Sequence, residues 1–135
     1  MLRYMLDTNV CIRVLRDRPA WVRDRFNAEA ETLCISTVTL FELFYGAEKS
    51  ARPIENRQSV ENFAARLTVL PWTDSAAVHA AEIRAELEGK GLPIGAYDGM
   101  IAAHARSLGL IVITGNLREF NRVSGLRSED WLDAV

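Results

Sequence analysis

Leu2-Arg3-Tyr4-Met5-Leu6-Asp7-Thr8-Asn9 opens the chain with an apolar-rich run that ends on a carboxylate and two small polar residues. Val10-Cys11-Ile12-Arg13-Val14-Leu15-Arg16 then reads as helix. A short buried strand feeding a helix through a tight polar turn is how α/β folds begin. In open α/β sheets ligands bind at the carboxyl ends of the strands, which is where Asp7 stands. Asp is also a favoured N-cap, so the stretch alone fits equally well a carboxylate that only caps the helix.

Farther along, Leu110-Ile111-Val112-Ile113-Thr114 is the clearest strand, β-branched and apolar on both faces. Such a strand belongs inside a parallel sheet covered by helices. Between these two runs the pattern alternates. A helix is expected from about Thr8 to Asp17, ending before Pro19, and another from Ala20 to Ala28. Thr32–Ser36 reads as a second strand, with Ser36 or Thr37 capping a helix through Val38 to Glu48. Pro53 suits the first turn of a helix running to about Arg66, and Leu67–Leu70 reads as a third strand stopped by Pro71. Asp74 is a good N-cap for Ser75–Glu88, which Gly89 and Gly91 end. A small-residue helix opens at Tyr97-Asp98-Gly99 and stops at Gly109. Alternating strands and helices predict an α/β fold, a three-layer α/β/α sandwich around a mainly parallel sheet.

At 135 residues, 49% hydrophobic and 25% charged, the chain has the balance of one globular domain spanning residues 1–135. No apolar run approaches a membrane span and no signal-peptide pattern opens the chain, so no membrane association and a cytoplasmic location are expected. Cys11 and Cys34 share no metal-ligand spacing and read as buried free thiols. The net charge of −2 makes no global case for nucleic acid. Its distribution is uneven: Arg3, Arg13, Arg16, Arg18, Arg23 and Arg25 outnumber the acids near the start, whereas the part from Pro71 onward is acidic. Arginines near the start suit phosphates beside an acidic centre, or simply a solvated helix face.

Three acids stand out. On a helix Val38, Phe41, Glu42 and Tyr45 share a face, and Leu40, Leu43 and Phe44 make most of the rest apolar. A carboxylate among core-type residues is costly to bury unpaired; Glu42 either emerges at one edge of the helix, pairs with an arginine, or marks a site. Asp98 lies in the first turn of its helix, where the helix dipole favours any acid. Gly95 and Gly99 beside it hint at a close approach to the backbone. The fourth polar region, Thr114-Gly115-Asn116-Leu117-Arg118-Glu119-Phe120, follows the best strand. His79 and His104 have no partner in sequence and are left out of the site. Trp21, Trp72 and Trp131 lack the interleaved basic spacing of a base-stacking platform and read as core or interface.

Met5-Leu6-Asp7-Thr8-Asn9, Ser36 to Leu43, Tyr97 to Ala103 and Thr114 to Phe120 occur in the order and spacing of four family motifs. Through them the whole chain resembles the PIN-domain ribonucleases, specifically the VapC-type toxins of bacterial toxin–antitoxin pairs. That resemblance implies a Mg²⁺- or Mn²⁺-dependent endoribonuclease that cleaves tRNA or mRNA by metal-activated water. It places Asp7, Glu42 and Asp98 as catalytic and metal-binding acids, with Asn116 as a further candidate ligand. Glu119, three residues on, is close to Asn116 on one face if a helix begins there; it either reaches the rim of the pocket as another candidate or pairs with a surface arginine such as Arg122. Thr8, Asn9 and Thr114 fall in supporting polar positions. The family often has aspartate where this chain has Asn116, which bears on a second metal site. A VapB-type antitoxin, a homodimer, and DNA contact only through the antitoxin are also implied. Trp21 and Phe44 are candidates to line the groove for an antitoxin tail, or to pack in the core.

The chemistry is coherent on physical grounds too. Two carboxylates about 4 Å apart repel by roughly 4 kcal/mol at an effective dielectric of 20. A cluster of three must be protonated, spread apart or neutralised by a cation. Two other readings exist. A two-component receiver domain would want adjacent acids after the first strand, which Asp7-Thr8-Asn9 lacks. A catalytically inactive PIN-like module that only grips RNA or protein is disfavoured by the presence of all three acids.

Overall fold

The structure, a computed structural model, describes residues 1–16 and 20–132, with residues 20–22 described by their backbone alone. Five parallel strands form the sheet: β1 (Tyr4–Leu6), β2 (Leu33–Ser36), β3 (Thr68–Leu70), β4 (Ile111–Ile113) and β5 (Ser128–Glu129), in the order β3-β2-β1-β4-β5. The helices are α1 (Thr8–Arg16), α2 (Ala20–Ala28), α3 (Thr37–Glu48), α4 (Pro53–Ala64), α5 (Asp74–Gly89), α6 (Ala96–Leu108) and the short α7 (Leu117–Phe120). The expected α/β/α sandwich is what forms.

β1 lies at the centre because every one of its side chains is buried. Tyr4 pairs with Leu33 and Ile111, and Met5 with Cys34 and Val112. Side chains alternate across a strand, so each half of this register feeds a different core. Tyr4, Leu6, Ile35 and Ile113 pack with α1, α2 and α4 residues such as Val10, Phe26 and Phe63. Met5, Cys34 and Val112 pack on the opposite face with Ile83 and Leu87 of α5 and the small residues Ala102, Ala103 and Ala105 of α6. The helix α3 contributes to both, through Leu43 and Ala47 on one side and Val38 on the other.

The chain steps outward from β1 to β2 and β3, then returns across β1 to lay down β4 and β5. The strand order therefore reverses between β1 and β4. That is the place where open α/β sheets form their binding crevice.

Several local expectations change. The cap of α5 is Thr73, whose hydroxyl accepts from the Ala76 amide at 3.2 Å; Asp74 sits in the first turn, where its charge favours the dipole without capping. Of the face formed by Val38, Phe41, Glu42 and Tyr45, only Val38 is buried; Phe41 and Tyr45 are 51% and 56% exposed, and Leu43 and Ala47 supply the rest of the helix's apolar burial. A methyl group on Gly95 or Gly99 would meet neighbours only at 3.9 Å, so neither glycine marks a close approach. Gly109 does need its residue type: it ends α6 at a φ of 69°, while Leu110 donates to the Ala105 carbonyl and turns the chain into β4. Cys11 and Cys34 are buried free thiols, as expected. Trp131 is buried edge-on to Tyr4, and the half-buried Trp72 donates to the Met100 carbonyl. Phe44 is half-buried, packed against the core beneath the Arg57 guanidinium. The expected last residue of the first helix, Asp17, and the side chain of Trp21 lie outside the described residues.

Candidate active site

Asp7 leaves the end of β1 with its amide bonded to the Ile113 carbonyl of β4, which continues the ladder one residue beyond the strand. The two readings of this residue hold together. One carboxylate oxygen, Oδ1, accepts from the Val10 amide at 2.9 Å and caps α1. The other, Oδ2, accepts from the Thr114 hydroxyl at 2.5 Å at the end of β4. Asp7 is only 1% exposed, and burial above all pushes its carboxyl up to about 6. The hydrogen bonds from Thr114 and Val10 hold it down, while the charges of Asp98 and Glu42 push it further up.

Glu42 reaches the same region from the margin of α3. Its partner is a hydroxyl rather than an arginine: Thr8 donates to Glu42 Oε1 at 2.6 Å. Thr8 also lies 3.3 Å from the hydroxyl of Thr39, which is fully buried one turn before Glu42. Thr39 was not anticipated from the sequence, although a polar β-branched residue three positions before the acid, inside an apolar helix, is a readable signal.

Asp98 is half-buried in the first turn of α6. Burial raises its pKa first, the charges of Glu119 and Glu42 raise it further, and a hydrogen bond from the Asn116 side chain opposes them. The same Asn116 amide donates to Glu119 Oε2, and its backbone N–H donates to the Thr114 hydroxyl at 2.8 Å. Glu119 therefore turns towards the cluster rather than to Arg122, whose guanidinium donates to the Pro93 carbonyl. Asn9 is exposed, makes no hydrogen bond to these acids among the described residues, and faces an open cleft beside Asn116.

Both histidines stand apart. The His79 Nδ1 accepts from Arg106 at 2.8 Å. His104 is buried, with Nδ1 2.9 Å from the Ser36 hydroxyl. Ser36 Oγ also accepts from the Val38 amide as the cap of α3. The His104 Nε2 has no hydrogen-bond partner among the described residues, and burial lowers the pKa of the ring.

Four carboxylates, Asp7, Glu42, Asp98 and Glu119, thus form one electrostatic neighbourhood at the carboxyl edge of the sheet. None of the salt bridges among the described residues reaches any of them. Nor, among the described residues, do three acids, histidines or cysteines converge into a ready-made metal cage. Threonine hydroxyls and amide hydrogens hold the acids near one another, and no salt bridge among the described residues compensates their negative charge. Such an arrangement attracts a cation, whether a metal ion or a guanidinium.

Residues 4–126 match the family described as PIN domain. The chain is 55% identical over 97% of its length to the tRNA(fMet)-specific endonuclease VapC of Shigella flexneri, covering 99% of that protein. It is 50% identical to Ribonuclease VapC2 of Haemophilus influenzae, covering 98% of this chain and all of that one. Among solved structures, the DNA-bound VapBC of Salmonella typhimurium superposes with a TM-score of 0.93 at 54% identity, over 97% of this chain and 99% of that one. VapBC2 of Rickettsia felis, bound to a promoter DNA fragment, gives 0.91 at 34% identity, over 96% and 99%. With matches of this extent running through all four motif regions, the chain belongs to the PIN-domain family, as a VapC-type ribonuclease.

Proposed function

We propose that this chain is a divalent-metal-dependent endoribonuclease, a single PIN domain over residues 1–135 that acts in the cytoplasm as the toxin of a toxin–antitoxin pair. The observation that carries this reading is the acid cluster anchored on the buried Asp7, which no salt bridge among the described residues compensates. Asp7, Glu42 and Asp98 are the residues assigned to catalysis, with Thr8, Asn9 and Thr114 in support.

The donors suit Mg²⁺ or Mn²⁺. They are carboxylate and amide oxygens, with neither cysteine nor histidine among them, and hard cations of this kind take oxygen ligands. Asp7, Glu42 and Asp98 would hold such an ion, with Asn116 and Glu119 beside a second position. When bound, the ion lowers the pKa of a water and stabilises charge on a phosphate. The chain's own residues do the positioning. Thr114 and the Val10 amide orient the Asp7 carboxylate, Thr8 orients Glu42, and Asn116 ties Glu119 to the cluster next to Asp98. Burial excludes bulk water from Asp7 and strengthens each of these interactions.

The name of the Shigella relative makes tRNA(fMet) the first substrate to test, with mRNA as the other RNA class. The DNA-bound VapBC complexes among similar structures support a VapB-type antitoxin as the partner, with DNA contact through that antitoxin; a homodimer is the assembly that the family resemblance implies. An arginine or lysine from the antitoxin's tail would neutralise the acids in place of metal. No helix among the described residues is long and apolar enough to cross a membrane.

The test is to incubate the full chain with tRNA(fMet) and with mRNA, adding Mg²⁺, Mn²⁺ or a chelator, and to determine the chemistry of the cut ends. Cleavage only with divalent cation, leaving 5′-phosphate and 3′-hydroxyl ends, is expected. Cleavage that survives the chelator, or leaves 2′,3′-cyclic phosphates, would overturn the proposal.

A further inference from the structure

A nuclease with net charge −2 and an acidic centre repels the polyanion it must cut. Attraction has to come from cations placed beside the acids, and the structure places two of them. A cleft of about 610 Å³ opens between α1 and the segment after β4, with Asn9, Arg13 and Arg16 on one side and Gly115, Asn116 and Leu132 on the other. Arg13 and Arg16 are three residues apart on a helix, so they share a face. Both are exposed. Neither has a carboxylate partner among the described residues, whereas Arg52, Arg57, Arg84 and Arg106 are each paired with glutamate. The dipole of α1 tolerates arginines in its last turn, but it does not account for two lining a cleft without a carboxylate partner among the described residues.

The cleft also continues into the acid cluster. Asn116 lines it and at the same time bonds Glu119 and, through its side chain, Asp98. A strand entering along the arginines therefore arrives at the acids past an amide, a neutral boundary between the positive and negative stretches.

We propose that Arg13 and Arg16 form a track for RNA backbone phosphates flanking the scissile bond, each guanidinium taking a phosphate through paired N–H donors. The track carries affinity without sequence preference, since phosphates are the same on every RNA. This inference rests on the ribonuclease reading above.

The test measures binding of labelled tRNA(fMet), and of an unrelated RNA of equal length, to the full chain in chelator, where no cleavage is expected, between 50 and 200 mM salt. The variants are Arg13→Gln, Arg16→Gln, the pair together, and the pair changed to lysine. The double glutamine variant should lose about tenfold or more in affinity for both RNAs. Its slope of log K against log salt should shrink by roughly 1.4, the value for two phosphates on a single strand. With divalent cation present its loss of cleavage should fall on KM rather than kcat. The lysine pair should recover the salt slope, and the thermal midpoints should stay with the wild type because both positions are exposed. Unchanged affinity and slope in the double variant, alongside wild-type cleavage, overturn the track and leave the nuclease standing. Wild-type RNA binding combined with weakened antitoxin binding assigns the cleft to the antitoxin and also overturns it. A wild-type chain that cuts no RNA under any divalent cation overturns both readings.

Discussion

The Thr114 hydroxyl donates to Asp7 Oδ2 at 2.5 Å, joining residues 107 positions apart at the ends of two adjacent parallel strands. Thr114 in turn accepts from the Asn116 backbone N–H, so one hydroxyl links the most buried acid to the start of α7, which carries Glu119. This is the point where the strand order reverses, and the hydroxyl fixes Asp7 there.

Thr114→Val keeps the shape of the side chain and removes the hydroxyl. It leaves Asp7 Oδ2 and the Asn116 amide without a partner, at a cost of about 1.5–3 kcal/mol for a bond to a charged group. Cleavage should fall by roughly tenfold or more and the melting temperature by several degrees, while Thr114→Ser restores both. Thermal melts and cleavage rates on the three proteins check this. A valine variant as active as the wild type removes Thr114 from the machinery.

Asp7→Asn and Asp98→Asn should each abolish cleavage and toxicity while the protein stays folded. At Asp7 asparagine preserves the volume and keeps one acceptor oxygen for the Val10 amide that caps α1. Its NH2 replaces the oxygen facing Thr114, whose hydroxyl can turn to accept; the packing survives and the negative charge is lost. Far-UV circular dichroism and a cleavage assay decide the matter. Either variant retaining full nuclease activity at unchanged stability shows the assignment to be wrong.

The buried carboxyl of Asp7 also predicts how stability depends on pH. Its pKa is raised from 3.8 to about 6 by burial and by its acidic neighbours, so the folded protein holds this proton more tightly than the unfolded chain. Its contribution is therefore fully favourable below about pH 4 and is lost as pH rises to about 6, by on the order of 3 kcal/mol. Asp98, raised by burial and by Glu119 and Glu42, works in the same direction. In chelator, Asp7→Asn should become progressively more stable relative to the wild type from pH 4 to pH 7. Denaturant melts at each pH measure the difference; a constant gap across that range contradicts the account. Mg²⁺ should stabilise the wild type at pH 7 and have little effect at pH 4.

Asn116 and Glu119 govern a second cation. An amide contributes an oxygen but no charge, and divalent affinity follows ligand charge, so one Mn²⁺ site is expected in the free protein by calorimetry. Asn116→Asp places a further carboxylate against Glu119 and Asp98, and should strengthen a second site while destabilising the metal-free protein. Glu119→Gln should weaken metal-dependent cleavage. Two tight sites in the wild type, or a silent Glu119→Gln at every metal concentration, sinks this prediction.

What the sequence by itself determined lies mostly within single elements. The apolar runs of β1 and β4, Pro53 at a helix start and Gly109 at a helix end are local signals, and the structure follows them. So does the place of Asp7 after the first strand, because a carboxylate directly after a buried run has only the turn to occupy. The strand β5, two half-buried residues long, carries too little periodicity to be read. Tertiary structure alone decided which strands became neighbours. Each parallel strand is joined to the next through helices, and nothing in a connection tells β4 to cross back and pair with β1 rather than extend beyond β3. That choice creates the bond from Thr114 to Asp7. Partner choices were likewise decided in three dimensions: Thr8 rather than an arginine for Glu42, and Asn116 rather than Arg122 for Glu119. A hydrogen bond or a charge acts over a few ångströms of space, whatever the separation in sequence, so only the folded chain settles which groups come within its reach.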